Sequence, residues 1–336
     1  MYTTRKPLYQ KLEEARKSKV LVYVTGDRPG LETQISHDVV DDFTNHLDSF
    51  VDAAGNFPPK ISLWLYSRGG AISAGWRIAN MLRQFCKELE IIIFSKALST
   101  GTLIALAGDN IIMTKQATLG PIDPSVNSPL NPQRPGAKPE VRVPVSVENV
   151  AGYIELAKKE YGIKSEAALV QIFLKLSEHV HPLALGECCR ARGQIQMLAD
   201  KLLSQQNVKM SNAAKKKIVS ILCREAGSHD FTISRSEAKR GLGLKVETPS
   251  MELYALLKQI HDDISKELEL NLRFDAGIHL GTAANKAYCF KRGIIESLTG
   301  GSQKFITEGQ LSRVQTQQGS GLQTQCTFEG WRNDES

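Results

Sequence analysis

Apolar and polar positions follow two rhythms along this chain. Val20-Leu21-Val22-Tyr23-Val24-Thr25, Ile61 to Tyr66, Ile91 to Phe94 and Asn110 to Met113 are short β-rich apolar runs, and they read as strands. Between them the period lengthens to that of helices. Leu8 to Ser18 is amphipathic with alternating charges, and Val39 to Ala53 places Val39, Val40, Phe43, Leu47, Phe50 and Val51 near helical spacing before Asn56-Phe57-Pro58-Pro59 stops it. Gly101 to Ala107 is small and apolar and predicts a buried helix. Strand, helix, strand, helix, strand in this order predicts an α/β fold with a parallel sheet and right-handed crossovers. In such sheets the ligand crevice lies beyond the carboxyl ends of the strands.

Downstream the pattern changes. Residues 121–145 hold seven prolines with little apolar periodicity, which predicts an irregular loop or flap. Val147 to Tyr161, Ser165 to Ser177, Pro182 to Ser204 and Ser211 to Ala226 read as successive helices forming a cap or an oligomer surface. Within them, the basic run Lys209 to Lys217 reads as a solvated helix face. Met251 to Leu272 is a further amphipathic helix, suited to docking on the core or pairing with another subunit. Phe274 to Ser336 mixes short strand-like runs with Gly/Ser/Thr/Gln turns and predicts a small β-rich appendage. The expected organisation is a domain over 1–249, with its helical region at 147–226, followed by a C-terminal helix and appendage over 250–336.

Composition narrows the class. A chain of 336 residues with 41% hydrophobic content can bury a substantial core. The net charge of +6, from 42 basic and 36 acidic residues, is a mild excess that gives no argument for nucleic-acid binding. The six cysteines show no CxxC spacing, so neither a metal site nor a disulfide scaffold is indicated, and a reducing cytoplasm fits best. Met1 to Ser18 mixes charges throughout, and no stretch approaches the ~20 apolar residues that span a bilayer. A soluble, cytoplasmic protein without membrane insertion and without a cofactor is expected.

The chemistry concentrates at two glycine-bearing turns, each reading as strand, tight turn, helix start. One is Leu65-Tyr66-Ser67-Arg68-Gly69-Gly70-Ala71, the other Lys96-Ala97-Leu98-Ser99-Thr100-Gly101-Thr102. A serine at a strand-to-helix turn is exposed for attack, and nearby glycines let backbone amides approach an oxyanion without a Cβ in the way. Ser99 is the candidate nucleophile. Read singly, each turn also fits an ordinary glycine turn or a serine N-cap.

Together the two turns resemble the Clp protease and crotonase superfamily. In the Clp proteolytic subunit a strand ends in Ser-Pro-Gly-Gly and the nucleophilic serine follows the second glycine by 29 residues, the separation of Gly70 and Ser99 here. Ala105-Leu106-Ala107-Gly108-Asp109 and Ala117-Thr118-Leu119-Gly120-Pro121-Ile122-Asp123-Pro124 look more like the signal-peptide peptidase and membrane-bound Clp-class branches. From Tyr9 to Pro249, through Val180-His181-Pro182-Leu183-Ala184-Leu185-Gly186 and Ser228-His229-Asp230-Phe231, the chain resembles the serine dehydrogenase proteinase family. The resemblance implies a Clp/crotonase-like spiral of parallel ββα units and an acyl-enzyme serine peptidase acting on peptides or proteins. It further implies a homo-oligomer, with any unfoldase or adaptor supplied separately. It assigns the oxyanion hole to the backbone N–H of Gly69 or Gly70 and of Thr100. One departure is Arg68, a cation where the family has proline.

The general base is the open position. The Clp histidine follows the serine by 24 residues, a slot holding Asp123 here, while the slot of the triad aspartate, seven residues before Glu237, is Asp230 with His229 beside it. Acid and base thus exchange slots, and the expected triad is Ser99, His229 and Asp123, since a triad is defined by geometry and not by chain order. The bland alternative is that His229-Asp230 caps a helix and Asp123 makes an Asx-turn before Pro124. His181 is the rival base, Asp230 an alternative orienting group, and Lys96 and Lys138 rank below the histidines because neither has an apolar setting. Two other readings use the same cleft: an acyl-CoA hydratase or isomerase with Asp123 as base, and an inactive peptide-binding scaffold.

Overall fold

The apolar runs of the first 120 residues form the expected β-α alternation. In chain order they give α1 (Tyr2–Arg16), β1 (Lys19–Thr25), α2 (Val40–Asp48), β2 (Lys60–Tyr66), α3 (Ile72–Gln84), β3 (Glu88–Ile93), β4 (Lys96–Ala97), α4 (Thr100–Ala105), β5 (Asn110–Met113) and β6 (Thr118–Leu119). The computed structural model describes residues 1–122, 125–134, 141–225, 231–316 and 319–334. The chain divides into two compact units. One holds Met1–Gly120, Gln205–Lys209 and Thr232–Ser336, the other Pro121–Ser204 and Met210–Phe231.

In the second unit, β7 (Ser125–Val126) and β8 (Val145–Ser146) pair antiparallel across the base of the proline-rich stretch. Asn131 fastens that stretch from inside, its Nδ2 donating to the carbonyls of Val126 (2.6 Å) and Val143 (3.1 Å). The four helices read from the sequence follow as α5 (Val147–Glu155), α6 (Glu166–His179), α7 (Pro182–Gln205) and α8 (Asn212–Ser220), with α5 and α8 each extended by one π turn. Ser146, Ser165 and Ser211 accept from the N–H three residues on and so cap α5, α6 and α8. No residue of α6 is buried, and Val170, Phe173 and Leu174 on it are about half exposed.

Back in the first unit, β9 (Ile233–Ser234) pairs antiparallel with β6, and β10 (Val246–Glu247) lies parallel to β5. The chain closes with α9 (Met251–Glu267), α10 (Ala276–Leu280) and three long strands, β11 (Asn285–Ser297), β12 (Gly301–Thr316) and β13 (Gly319–Asn333). The main sheet has the order β10-β5-β3-β2-β1-β11-β12-β13. Its β1, β2, β3, β5 and β10 run parallel, and the C-terminal strands form the β-rich appendage, fused to that sheet by antiparallel pairing of β11 with β1.

Strands of the parallel part are buried on both faces, which is why they read as continuous apolar runs. Val20, Val22, Val24, Trp64 and Ile92 pack on one face against Tyr9 and Leu12 of α1 and Leu257, Ile260 and Ile264 of α9. Tyr23, pointing the other way, meets Phe43 of α2 edge-on with centroids 5.0 Å apart. α1 begins six residues before the Leu8 expected from the sequence and runs through Pro7, and α9 ends at Glu267, short of the expected Leu272.

The early start of α1 has a cause at the far end of the chain. Glu296 on β11 is fully buried and accepts from Arg5 Nε (2.9 Å), Arg5 Nη2 (2.6 Å) and Tyr9 Oη (2.6 Å) of α1. From β12 it accepts from Lys304 Nζ (2.6 Å) and Ser302 Oγ (2.9 Å). Glu267 of α9 adds a second carboxylate, 2.7 Å from Arg5 Nη1 and 3.3 Å from Lys304 Nζ. Burial opposes ionisation of Glu296, but Arg5 and Lys304 outweigh it and hold its pKa below the usual carboxylate range. Tyr9 is pushed up, first by burial and then by Glu296.

Candidate active site

The first glycine turn leaves β2 at Tyr66 and enters α3 at Ile72. Gly70 sits at φ +152°, and a Cβ there would lie 2.2 Å from the Ile35 carbonyl oxygen and 2.5 Å from its nitrogen. Only glycine fits, because the loop after β1 lies directly on the turn. Ile35 N–H donates to the Gly69 carbonyl and Ala71 N–H to the Ile35 carbonyl, both at 2.8 Å. Within the turn, Gly69 N–H donates to Ser67 Oγ (2.9 Å), which also accepts from Thr25 Oγ1 at the end of β1 (2.7 Å).

The second turn is laced to the first. Ser67 N–H donates to the Lys96 carbonyl (3.2 Å) and Leu98 N–H to the Ser67 carbonyl (2.9 Å). Thr100 Oγ1 donates to the Gly70 carbonyl at 2.7 Å. Thr102 Oγ1, fully buried, lies 2.8 Å from the carbonyls of Ala97 and Gly120 and accepts from Gly120 N–H at 3.0 Å. The approach is so close that a Cβ on Gly69 would stand 2.9 Å from Ser99 Cβ and 3.3 Å from its Oγ.

Ser99 itself has φ +50° and ψ −115°. For a residue with a Cβ this conformation costs about 1–3 kcal/mol and persists only where surrounding bonds over-determine it. The lacing described above supplies them. The strained serine stands at the start of α4, half-buried, and its Oγ makes no hydrogen bond to the described residues. Among the described residues, no acceptor takes the backbone N–H of Gly70 or of Thr100. Gly69 differs: its N–H is consumed inside the turn, so of the two glycines expected as oxyanion donors Gly70 is the one with a donor to spare.

Gly69, Gly70, Ser99 and Thr100 are therefore brought together. Asp123, His229 and Asp230, named from the sequence as acid and base, lie outside the described residues, as does Lys138. His181 is exposed at the start of α7, where its Nδ1 accepts from Leu183 N–H at 3.2 Å, the contact of a helix cap. Lys96 is committed elsewhere: its ammonium is 2.7 Å from Asp27 Oδ2, and Tyr66 Oη donates to Asp27 Oδ1 at 2.5 Å. Burial, then Asp27, raises the Tyr66 pKa well above the usual phenol range. His261 of α9 stacks on Phe94 with centroids 4.3 Å apart, and burial lowers its pKa below 6.5. Sequence reading passed over Asp27 and His261, since a lone aspartate in a glycine-proline turn and a histidine on an amphipathic helix carry no pattern. Arg68 is exposed. Among the described residues no group of three or more His, Cys, Asp or Glu side chains is placed to hold a metal, and no helix is long and apolar enough to cross a membrane.

Comparison with known proteins adds relatives to this geometry. The chain is 30% identical over 199 residues to an uncharacterized protein of Methanocaldococcus jannaschii, covering 59% of this chain and 57% of that one. A second protein of the same organism is 42% identical over 66 residues, 20% of this chain and 23% of its own length. The chain thus spans little more than half of the first relative and under a quarter of the second. Among solved structures it is similar to a variant of the 1510-N membrane-bound stomatin-specific protease, with a TM-score of 0.41 and 16% identity over 72% of this chain and 85% of that one. It is also similar to ClpP1 from Listeria monocytogenes, with a TM-score of 0.37 and 16% identity over 73% of this chain and 99% of that one. The segment carrying both turns, residues 2–133, matches the family of ClpP-like SDH-type serine proteinases.

Proposed function

We propose that the protein is a serine peptidase that hydrolyses peptide bonds through an acyl-enzyme on Ser99. The observation that carries this reading is the strained Ser99, held at the start of α4 beside two N–H groups, of Gly70 and Thr100, that no described residue accepts. In the proposed step Ser99 Oγ attacks the scissile carbonyl and gives up its proton to a base. The oxygen of that carbonyl takes the developing charge toward Gly70 N–H and Thr100 N–H, each donor being worth about 3 kcal/mol of transition-state stabilisation. The amine leaves with a proton returned by the same base, and water then releases the acyl group from Ser99.

His229 oriented by Asp123 is the base this reading assigns, with His181 and Asp230 as the alternatives. The ion pair of Lys96 with Asp27 argues against Lys96, since a paired ammonium has no lone pair with which to accept the serine proton. A homo-oligomer is part of the proposal, supported by α6 and its uncovered apolar side chains.

Labelling of the intact protein with a fluorophosphonate, read by mass spectrometry, tests the assignment. The adduct is expected on Ser99, absent in Ser99→Ala and strongly reduced in His229→Ala. Loss with Ser99→Ala alone moves the base to His181 or a lysine. A folded, assembled wild type that takes no label refutes the peptidase, and acyl-CoA turnover surviving Ser99→Ala would establish hydratase chemistry in its place.

A further inference from the structure

The loop that shapes the first glycine turn is itself gripped by a residue from the far end of the chain. Where β11 pairs with β12, Lys291 stands opposite Ile306 and Gly293 opposite Phe305, so Arg292 is the extra residue of a β-bulge. On the other side of β11, Gly293 is aligned with Thr25, the last residue of β1. Bulges interrupt the ladder and re-aim a side chain, and here the bulge turns both ends of Arg292 toward the segment that follows β1.

The Arg292 carbonyl accepts from Gly26 N–H (2.8 Å) and Thr33 Oγ1 (3.0 Å). Its guanidinium donates through Nε to the Leu31 carbonyl (2.9 Å) and through Nη2 to the Glu32 carbonyl. The remaining direction is anchored on the sheet, where Nη1 donates to Thr307 Oγ1 (2.8 Å) and Glu329 Oε2 (2.7 Å). A planar fork with fixed donors suits this bridging, and a lysine ammonium could not reach all of these acceptors. Three residues beyond Glu32 the same segment presents Ile35, whose N–H and carbonyl clasp Gly69 and Ala71 on either side of Gly70.

We propose that Arg292 is a positioning residue for the oxyanion hole: through residues 31–35 it fixes where the Gly70 N–H points. The proposal rests on the reading of that N–H as an oxyanion donor. The mechanical link is short and has no slack, because the Ile35 backbone fills the space a Gly70 side chain would take. A loop released from Arg292 frees Ile35 to shift, and Gly70 moves with it. The β-rich C-terminal strands thereby reach the chemistry without touching it.

The test uses full-length Arg292→Ala and Arg292→Lys with two readouts. Hydrogen–deuterium exchange should speed up in peptides covering 31–36 and 68–72, with β2 at 60–66 as protected as in the wild type. Fluorophosphonate inactivation should keep its half-saturating concentration while the maximal rate falls by roughly 10²-fold in Arg292→Ala, as for a misplacement of about 1 Å, with Arg292→Lys in between. Unchanged exchange at 68–72 in folded Arg292→Ala overturns the proposal, and so does faster exchange there with a wild-type rate of labelling. If Arg292→Ala does not fold, Arg292→Lys and Thr33→Val carry the same comparison. If the wild type takes no label, the peptidase reading has failed on its own account, and the exchange at 68–72 alone decides whether Arg292 positions the turn.

Discussion

Replacing Glu296 by glutamine removes one charge and almost no volume, so its effect isolates the buried ion cluster. Two carboxylate oxygens now accept from five donor groups on Arg5, Tyr9, Ser302 and Lys304. An amide keeps one oxygen and turns two N–H bonds toward the rest, leaving Arg5 Nε or Lys304 Nζ facing a donor. Removing one member of a buried ion pair costs about 3–5 kcal/mol, which for a unit of this size lowers the midpoint of thermal unfolding by roughly 6–20 °C. Trp64, Trp76 and Trp331 all lie in the first unit, so tryptophan fluorescence during heating or urea unfolding reports on it alone. The exposed Lys258–Asp262 pair is the control, and Asp262→Asn should leave the midpoint in place. The sign with pH is fixed by linkage. The folded pKa of Glu296 lies below its ordinary value, so the unfolded chain binds more protons in between, and the contribution present above pH 4.5 is lost as pH falls through the folded pKa. Glu296→Gln should flatten that acid limb. A midpoint within about 1 °C of the wild type, less than about 0.5 kcal/mol, would refute the reasoning.

Gly70→Ala should push Ile35 and the turn apart and slow fluorophosphonate labelling of Ser99 by about 10²–10³-fold, the usual loss for one oxyanion donor; labelling at the wild-type rate would show that the turn does not set the site. Phe173→Glu with Leu174→Glu, on the uncovered face of α6, should lower the assembled mass in sedimentation velocity toward that of a monomer. An unchanged mass would exclude that face from the interface.

Much of the parallel sheet could be read from the chain because strands buried on both faces leave uninterrupted runs such as Ile61 to Tyr66. The two turns were legible for a related reason, since the demands of a close approach fall on particular residue types at Gly69, Gly70 and Ser99. What escaped reading depends on partners remote in sequence. Leu8 was the expected start of α1 because the amphipathic pattern begins there, yet Tyr2 and Arg5 extend the helix by bonds to Ser297 and Glu296, from the other end of the chain. Ile35 looks like a stray apolar residue among turn formers, and only the folded loop reveals that its backbone completes a turn. Arg292 is equally silent, since a bulge is a property of two paired strands. For Asp123, His229 and Asp230 the chain offers spacing alone.

The chain leaves the first unit after Gly120, re-enters it over Gln205–Lys209 and returns to it for good at Thr232. Each crossing is tied down: β6 pairs with β9, Gln206 Nε2 donates to the Leu106 carbonyl at 2.9 Å, and Asn207 N–H to Asp109 Oδ1 at 2.6 Å. The two excursions, 121–204 and 210–231, thus depart from and return to residues held by bonds within the sheet-bearing unit. Closing a flexible loop of twice the length costs only about 0.6 kcal/mol more. Either excursion can therefore be lengthened, shortened or exchanged while the strands that hold Ser99 keep their alignment.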